Sequence, residues 1–295
     1  MVEYKVIIIG AGISGMSCAL YLKRAGISTL MIENSAPGGQ LNKISTIENY
    51  PGYEEVNGTD LAMNLYSQIS NIGVDYVSEE VQKIDYDKKL LVTNLNTYSF
   101  DYLVFATGRR ERLLHLDHEE ELLGRGISLC ATCDGALYRG RDVMVVGGGN
   151  SAVSEVLYLA NLCQHVYLVV RKNTLRADNI LKDRLSLKDN VIFLPDEEIE
   201  KYLYDSKKVN GVLLKSGKKV SVDCVFLAIG FIPNSELFFG EKKNGYIVVD
   251  CHGRSSMDHV YACGDVVFKE IYQLITASSD GVMVASDIIK KCIRM

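Results

Sequence analysis

Two short apolar runs open two stretches of the chain in the same way. Val6-Ile7-Ile8-Ile9 is too short for a helix and reads as a strand buried on both faces. The glycine turn Gly10-Ala11-Gly12-Ile13-Ser14-Gly15 follows. From Met16 to Ala25 the apolar positions recur at helical spacing, and Gly26 stops the helix. Ser28 to Ile32 reads as the next strand, with Glu33 at its end. The pattern returns about 137 residues later. Val143-Met144-Val145-Val146 is a strand, Gly147-Gly148-Gly149-Asn150-Ser151-Ala152 a turn, Val153 to Leu162 a helix and His165 to Val170 a strand.

Each of these βαβ units runs into a β-rich stretch. Val81 to Phe105 alternates apolar and polar positions and ends in Ala106-Thr107-Gly108. Val191 to Ile229 does the same and ends at Gly230. The tail from Gly245 to Met295 reads as strand, turn and a helix from about Ile271. Two matching halves thus predict an α/β protein rather than a solenoid, whose repeats are shorter.

Composition narrows the function. A chain of 295 residues holds about two domains. With 47% hydrophobic and 23% charged residues it is ordinary globular material, not a disordered chain. A net charge of −5 disfavours general nucleic-acid binding. No apolar run reaches the roughly 18 residues of a membrane span. Met1 to Lys5 enters a strand at once and has no features of a secretion signal, so the expected location is cytoplasmic.

The first glycine turn sits between strand and helix, the context in which GxGxxG carries meaning. Gly10 permits the tight turn, Gly12 lets a pyrophosphate approach the backbone, and Gly15 lets helix and sheet pack closely. Helix N–H groups favour the anion, and Glu33 stands where a carboxylate meets ribose hydroxyls. The site reads as one for FAD or NAD. The second turn is a GxGxxA variant, with Gly147, Gly149, Asn150, Ser151 and Ala152. No acid ends its second strand; Arg171, Lys172 and Arg176 follow instead, which suits the 2′-phosphate of NADP.

Cys130-Ala131-Thr132-Cys133 has no second cysteine pair and no spaced histidines to complete a zinc site, and no metal is expected. It reads as a redox dithiol, with Asp134 beside it to carry the proton that thiol–disulfide exchange requires. The other six cysteines are expected to be small buried hydrophobes.

With these residues in view, the chain resembles the low-molecular-weight, FAD-dependent thioredoxin reductases over nearly its whole length. Gly10, Gly12, Ser14, Gly15 and Glu33 resemble the family's FAD motif. The segments containing Gly39, Gln40, Leu41 and Asn49 resemble those lining its flavin, and Thr107-Gly108 resembles a strand end of the FAD domain. Gly264-Asp265 resembles its second FAD motif, with Asp265 toward the ribityl chain; Tyr272 and Gln273 stand where a flavin-side pair is expected.

The resemblance implies two Rossmann-like dinucleotide-binding domains of three layers, with parallel sheets and β-meanders. The FAD-binding domain would be 1–112 plus 237–295. The pyridine-nucleotide-type domain carrying the dithiol, 113–236, would be inserted in it. A homodimer and a domain rotation are also implied. So is a mechanism: Cys133 faces the flavin, Asp134 moves the proton, and Cys130 attacks the disulfide of a thioredoxin-like protein.

The chain departs from the family at several places. The usual histidine of the NADPH clamp is Val170 and one arginine is Lys172; Ser154-Glu155 replaces a Glu-Glu pair; Tyr272 replaces an arginine. Ala136-Leu137 replaces two aromatics that grip thioredoxin. Arg109, Arg110 and Arg112 form a basic cluster suited to an acidic ferredoxin. The expected donor is therefore NADPH, with reduced ferredoxin as the alternative. A peroxide-system reductase would carry an N-terminal redox extension, and a non-catalytic flavoprotein redox sensor would not need an intact dithiol.

Overall fold

The computed structural model describes residues 2–44, 46–206 and 208–293. Met1 and Met295, which bound the expected FAD segment, lie outside the described residues. The chain divides into two compact units, Met1–Arg110 with Ile232–Met295, and Glu111–Phe231. The crossovers thus fall at 110/111 and 231/232 rather than 112/113 and 236/237. The reason lies in residues 234–236. The Asn234 side chain donates to Thr107 O, and Glu236 pairs with Arg110, both within the first unit.

The elements follow in chain order. The first unit begins with β1 (Val2–Ile9), α1 (Ile13–Arg24), β2 (Thr29–Glu33), α2 (Gly58–Asn71) and β3 (Asp75–Ser78). It continues with β4 (Val81–Asp85), β5 (Leu90–Thr93) and β6 (Thr97–Phe105), and the chain leaves through β7 (Arg109–Glu111). The second unit holds α3 (Glu119–Leu122), β8 (Ile127–Ser128), α4 (Ala131–Asp134), β9 (Asp142–Val146) and α5 (Asn150–Leu159). Next come β10 (His165–Val170), α6 (Asn179–Ser186), β11 (Val191–Pro195), β12 (Ile199–Asp205), β13 (Lys208–Leu214), β14 (Lys219–Val220) and β15 (Cys224–Leu227). The chain returns through β16 (Phe231–Pro233) to β17 (Lys242–Lys243), β18 (Tyr246–Ile247), β19 (Val260–Ala262) and α7 (Leu274–Ile293).

In the first unit the sheet order is β3-β2-β1-β6-β5-β4, with β19 also on β6. The central β1 pairs in parallel with β2 (Ile9 opposite Ile32) and with β6 (Ile9 opposite Phe105). The far edge of β6 is shared. Its first half takes antiparallel β5 (Leu91 opposite Tyr98), and its last residues take parallel β19 (Ala262 opposite Phe105). The ends of β1, β6 and β19 therefore come level at one edge of the sheet, where open α/β sheets bind ligands.

Alternation along β1 fills both faces. Val6 and Ile8 pack with Met16 and Leu22 of α1 and Val284 and Ile288 of α7. Ile7 and Ile9 pack with Leu30, Ile32, Phe105 and Phe238 on the other face. Helices α1 and α7 pack backbone to backbone: a Cβ on Gly281 would lie 2.1 Å from Ser14 O.

The second unit repeats the scheme with an all-parallel sheet, β11-β10-β9-β15-β8. Helix α5 covers one face, where Val153 belongs to the buried side of the helix and Val156 packs among Val143, Val145 and Phe226. The antiparallel meander β12-β13-β14 covers the other, with Val209, Val212 and Leu214 against Met144, Val146 and Leu227. This is the α/β class expected from the two βαβ units, in the three-layer form that the family resemblance implies.

The helix boundaries shift slightly. Helix α1 starts at Ile13, not Met16, because the glycine turn itself enters the helix: Met16 N–H already donates to Gly12 O at 3.0 Å. Helix α7 starts at Leu274 rather than Ile271. Thr276 Oγ1 there bonds the carbonyls of Ile271 and Gln273, which ties the preceding loop to the first turn.

Candidate active site

The first glycine turn follows β1 directly. Gly10 has φ +104°, and a Cβ there would lie 2.4 Å from Ala106 O, so only glycine lets β1 and β6 end this close together. Around Gly12 a Cβ would meet nothing within 4 Å. Gly12 caps α1 with no side-chain bond, and the first turn of the helix carries no acid. By contrast α2 has its own cap, Asn57 accepting from Thr59 N–H at 2.9 Å. An uncapped helix start beside open space is a cradle for an anion.

Glu33 leans into that turn. Its Oε2 accepts from Ala11 N–H at 3.0 Å, and its Oε1 accepts from Ser35 N–H and Oγ at 3.1 and 2.9 Å. A carboxylate offers about four acceptor positions, so three bonds leave one for a sugar hydroxyl. The Gly38–Gly39 segment lies against the same turn: Gly38 N–H donates to Ala11 O at 2.8 Å. Next to it, Leu41 is buried and Gln40 Nε2 donates to Arg109 O at 2.9 Å.

Residues far apart in sequence meet around this edge. Asn49 Nδ2 donates to Gln273 Oε1 at 3.2 Å. Thr107 Oγ1 donates to Asn234 O at 2.5 Å, and Asn234 N–H donates to Gly108 O at 3.0 Å. A Cβ on Gly264 would lie 2.4 Å from Ser14 Oγ, so the second motif abuts α1. Asp265 Oδ2 meets Arg109 Nε at 3.2 Å, while Lys269 Nζ stands 3.7 Å from Oδ1. Yet Asp265 Oδ1 is buried without a hydrogen-bond partner. A buried, unsatisfied acceptor signals a missing donor. The hydroxyls of a ribityl chain supply that donor, and the open anion cradle suits a pyrophosphate, so these residues fit FAD.

Tyr272 lies under Arg109, whose guanidinium carbon is 4.3 Å from the ring centroid, and 5.5 Å from the Tyr246 ring. Burial pushes its phenol upward. Two arginines of the basic cluster expected for a ferredoxin are paired with carboxylates. Arg109 pairs with Asp265, Arg110 with Glu236 at 2.7 Å, and Arg112 Nε donates to Phe231 O.

In the second unit Gly147 has φ +144°, with a Cβ position 2.3 Å from Ala228 O, the counterpart of Gly10 beside Ala106. Gly149 caps α5 without a side-chain bond and faces open space. In the first turn of α5, Ala152 is buried and Ser151 is exposed. Asn150 is held by Asp178, donating to its Oδ2 at 2.9 Å and accepting its N–H at 2.8 Å. Arg171, Lys172 and Arg176 are exposed after β10, and none forms an ion pair among the described residues. Glu155 lies on α5 with Oε2 buried and unpartnered, and burial pushes its carboxyl up to about 7.

Cys130 and Cys133 are joined in a disulfide. Cys130 follows β8, and Gly147 follows β9; both strands flank β15. The dithiol and the second glycine turn thus share one edge of one sheet, two strands or about 10 Å apart. Cys130 Sγ caps the short helix α4 by accepting from Cys133 N–H at 3.2 Å, and Thr132 Oγ1 stands 3.4 Å away. Asp134 Oδ2 accepts from Ser128 Oγ at 2.7 Å. Among the described residues no group of three metal-ligating side chains forms.

The remaining cysteines differ in one respect from expectation. Cys18, Cys163, Cys224 and Cys263 are buried and Cys292 half-buried, but Cys251 is exposed, because it falls in the turn after Asp250 rather than in a strand. Burial pushes Cys224 and Cys263 up to about 12 and Cys163 to about 11, so these thiols are poor nucleophiles. Sequence reasoning passed over Asn234, Lys269, Asp280 and Ser128. Asp280 Oδ2 accepts from Gly264 N–H at 3.1 Å and from Lys269 Nζ at 2.8 Å, fixing the second motif. Only the closeness of Lys269 to Gly264-Asp265, and of Ser128 to Cys130, hinted at them.

A family model, pyridine nucleotide-disulphide oxidoreductase, matches residues 4–281. The thioredoxin reductase of Listeria innocua is 40% identical over 288 residues, covering 94% of this chain and 90% of its own. Among solved structures, Lactococcus lactis thioredoxin reductase in the FR conformation superposes with a TM-score of 0.86 at 34% identity, over 99% of this chain and 100% of that one. The solved T. acidophilum thioredoxin reductase superposes with a TM-score of 0.83 at 28% identity, over 99% of this chain and 100% of that one. No helix of the described residues is long and apolar enough to cross a membrane.

Proposed function

Because the chain belongs to the low-molecular-weight, FAD-dependent thioredoxin reductases of the pyridine nucleotide-disulphide oxidoreductase family, we propose that it uses NADPH to reduce the disulfide of a thioredoxin-like protein. The observation that carries this reading is the shared sheet edge. A CxxC disulfide and an uncapped nucleotide turn with three unpaired cations stand on the same parallel sheet.

Bound FAD supplies the two-electron relay between NADPH and the Cys130–Cys133 bond. The first unit would hold it: the start of α1 would take the pyrophosphate, Glu33 a ribose hydroxyl, and Asp265 Oδ1 a ribityl hydroxyl. In the second unit the start of α5 takes the pyrophosphate of NADPH, and Arg171, Lys172 and Arg176 take its 2′-phosphate. The exchange itself belongs to the dithiol. The Cys130 thiolate, stabilised by Cys133 N–H, attacks one sulfur of the partner's disulfide and displaces the other as a thiolate. Asp134 carries a proton to that leaving sulfur. The Cys133 thiolate, whose proton Asp134 has taken and passed on, then attacks Cys130 Sγ and restores the disulfide; the partner's second sulfur leaves as a thiolate and takes its proton from water. Replacing Cys133 by serine stops the sequence at the mixed disulfide.

The flavin's visible band tests the donor. Anaerobic protein is mixed in turn with NADPH, NADH and reduced ferredoxin, then with oxidised thioredoxin. Fast bleaching by NADPH and recovery with thioredoxin is the expected result. Bleaching by ferredoxin alone would refute the NADPH assignment and leave the second nucleotide fold as a carrier of the dithiol. The homodimer rests on the family resemblance; light scattering of the holoprotein checks it.

A further inference from the structure

Ser128 stands two residues before the dithiol, at the end of β8, and is 4% exposed. Its Oγ donates to Asp134 Oδ2 at 2.7 Å and accepts from Cys130 N–H at 3.1 Å. A hydroxyl has one proton to give. The carboxylate at 2.7 Å takes it in preference to the Cys130 carbonyl at 3.2 Å, since charge-assisted bonds are the stronger. Asp134 is also tied through its backbone, its N–H donating to Cys130 O at 3.1 Å. The hydroxyl therefore closes a second link from the carboxylate to the backbone of Cys130.

We propose that Ser128 is a positioning residue for the thiol–disulfide exchange: by tying Asp134 Oδ2 to the backbone of Cys130 it holds the carboxyl group beside the dithiol whose proton it gives and takes. This rests on the reading of Asp134 as the proton carrier. A proton carrier must lie within hydrogen-bond reach of its sulfur, and a misplacement of about 1 Å is enough to cost rate heavily. Two other titratable groups lie near Asp134: the Tyr138 phenol, on the turn after α4, and the Cys224 thiol of β15. Asp223 bears on both of these. From α5, Tyr158 packs over Gly135. Burial pushes both the phenol and the Cys224 thiol upward, so neither competes with Asp134 for the proton near neutral pH.

The test uses the FAD-loaded protein with its dithiol reduced by dithiothreitol and freed of excess reductant. Its single-turnover oxidation is followed with thioredoxin and, separately, with a small aromatic disulfide. Ser128→Ala is expected to slow the exchange about tenfold, a fraction of the roughly 10²–10⁴-fold that proton transfer contributes. The KM for thioredoxin and the flavin spectrum should not change. In an Asp134→Asn background Ser128→Ala should add nothing, because the residue acts only through that carboxylate. Ser128→Thr and Ser128→Val form an equal-volume pair that serves if Ser128→Ala does not fold. The first should retain the rate and the second lose about tenfold. Equal loss by Thr and Val, or full loss by Ser128→Ala on top of Asp134→Asn, would overturn the proposal. If wild-type protein fails with thioredoxin but reacts with the small disulfide, the partner assignment falls, and the Ser128 series is still read on the small disulfide.

Discussion

Replacing Arg176 by alanine removes one of three exposed cations that follow β10 without an ion-pair partner. If they hold the 2′-phosphate, the loss is that of one charge-assisted hydrogen bond, worth about 1.5–3 kcal/mol. At about 1.36 kcal/mol per tenfold change, that is roughly 12- to 160-fold in affinity. The side chain is exposed, so solvent and salt screen the interaction and the low end applies: the KM for NADPH should rise about tenfold. NADH lacks the 2′-phosphate and serves as the internal control. Steady-state turnover with thioredoxin, measured against both nucleotides, should show the NADPH constant rising and the NADH constant unchanged. Raising salt from about 0.05 to 0.3 M should shrink the difference, because the Debye length shortens. The double variant Arg171→Ala/Arg176→Ala should erase the preference. Parallel shifts for both nucleotides, or no shift for either, would refute the clamp.

Cys130→Ser and Cys133→Ser should each abolish thioredoxin reduction while NADPH still bleaches the flavin in stopped flow. Asp265→Ala should weaken FAD retention, seen as loss of yellow colour on gel filtration, because a buried acceptor left without a donor at that edge is removed. Gly281→Ala should lower the Tm by several degrees and loosen FAD together, since its Cβ would meet Ser14 O at 2.1 Å and push α1 from α7. Glu155 gives a pH test. Its folded carboxyl, near 7, lies above the unfolded value, so the folded state holds the proton more tightly and stability falls as pH rises from about 4.5 to 7. Glu155→Gln should therefore raise the Tm at pH 8 and leave it nearly unchanged at pH 4.

The βαβ units were legible because their signals are local. A β-branched run, a glycine turn and an amphipathic helix lie within about thirty residues of one another. Cys130-Ala131-Thr132-Cys133 was legible for the same reason. The crossovers between units were less so. Asn234 and Glu236 belong to the first unit through contacts with Thr107 and Arg110, more than a hundred residues away in sequence. The basic cluster shows the reverse problem: in sequence Arg109 and Arg110 are two charges side by side, and in space each faces a carboxylate.

The sequence by itself determined the fold class, the two nucleotide turns, the dithiol and Asp134, since glycine placement and thiol spacing are fixed by the covalent chain. Tertiary structure alone decided how those pieces act. Parallel pairing of β6 with β19 brings Asp265 level with the first turn, and β8 places the dithiol two strands from the second. It left Asp265 Oδ1 without a donor and put the buried Ser128 hydroxyl between Cys130 and Asp134. Strand order and burial arise from long-range packing, and no short window of residues encodes which strands become neighbours or which polar atoms lose their water.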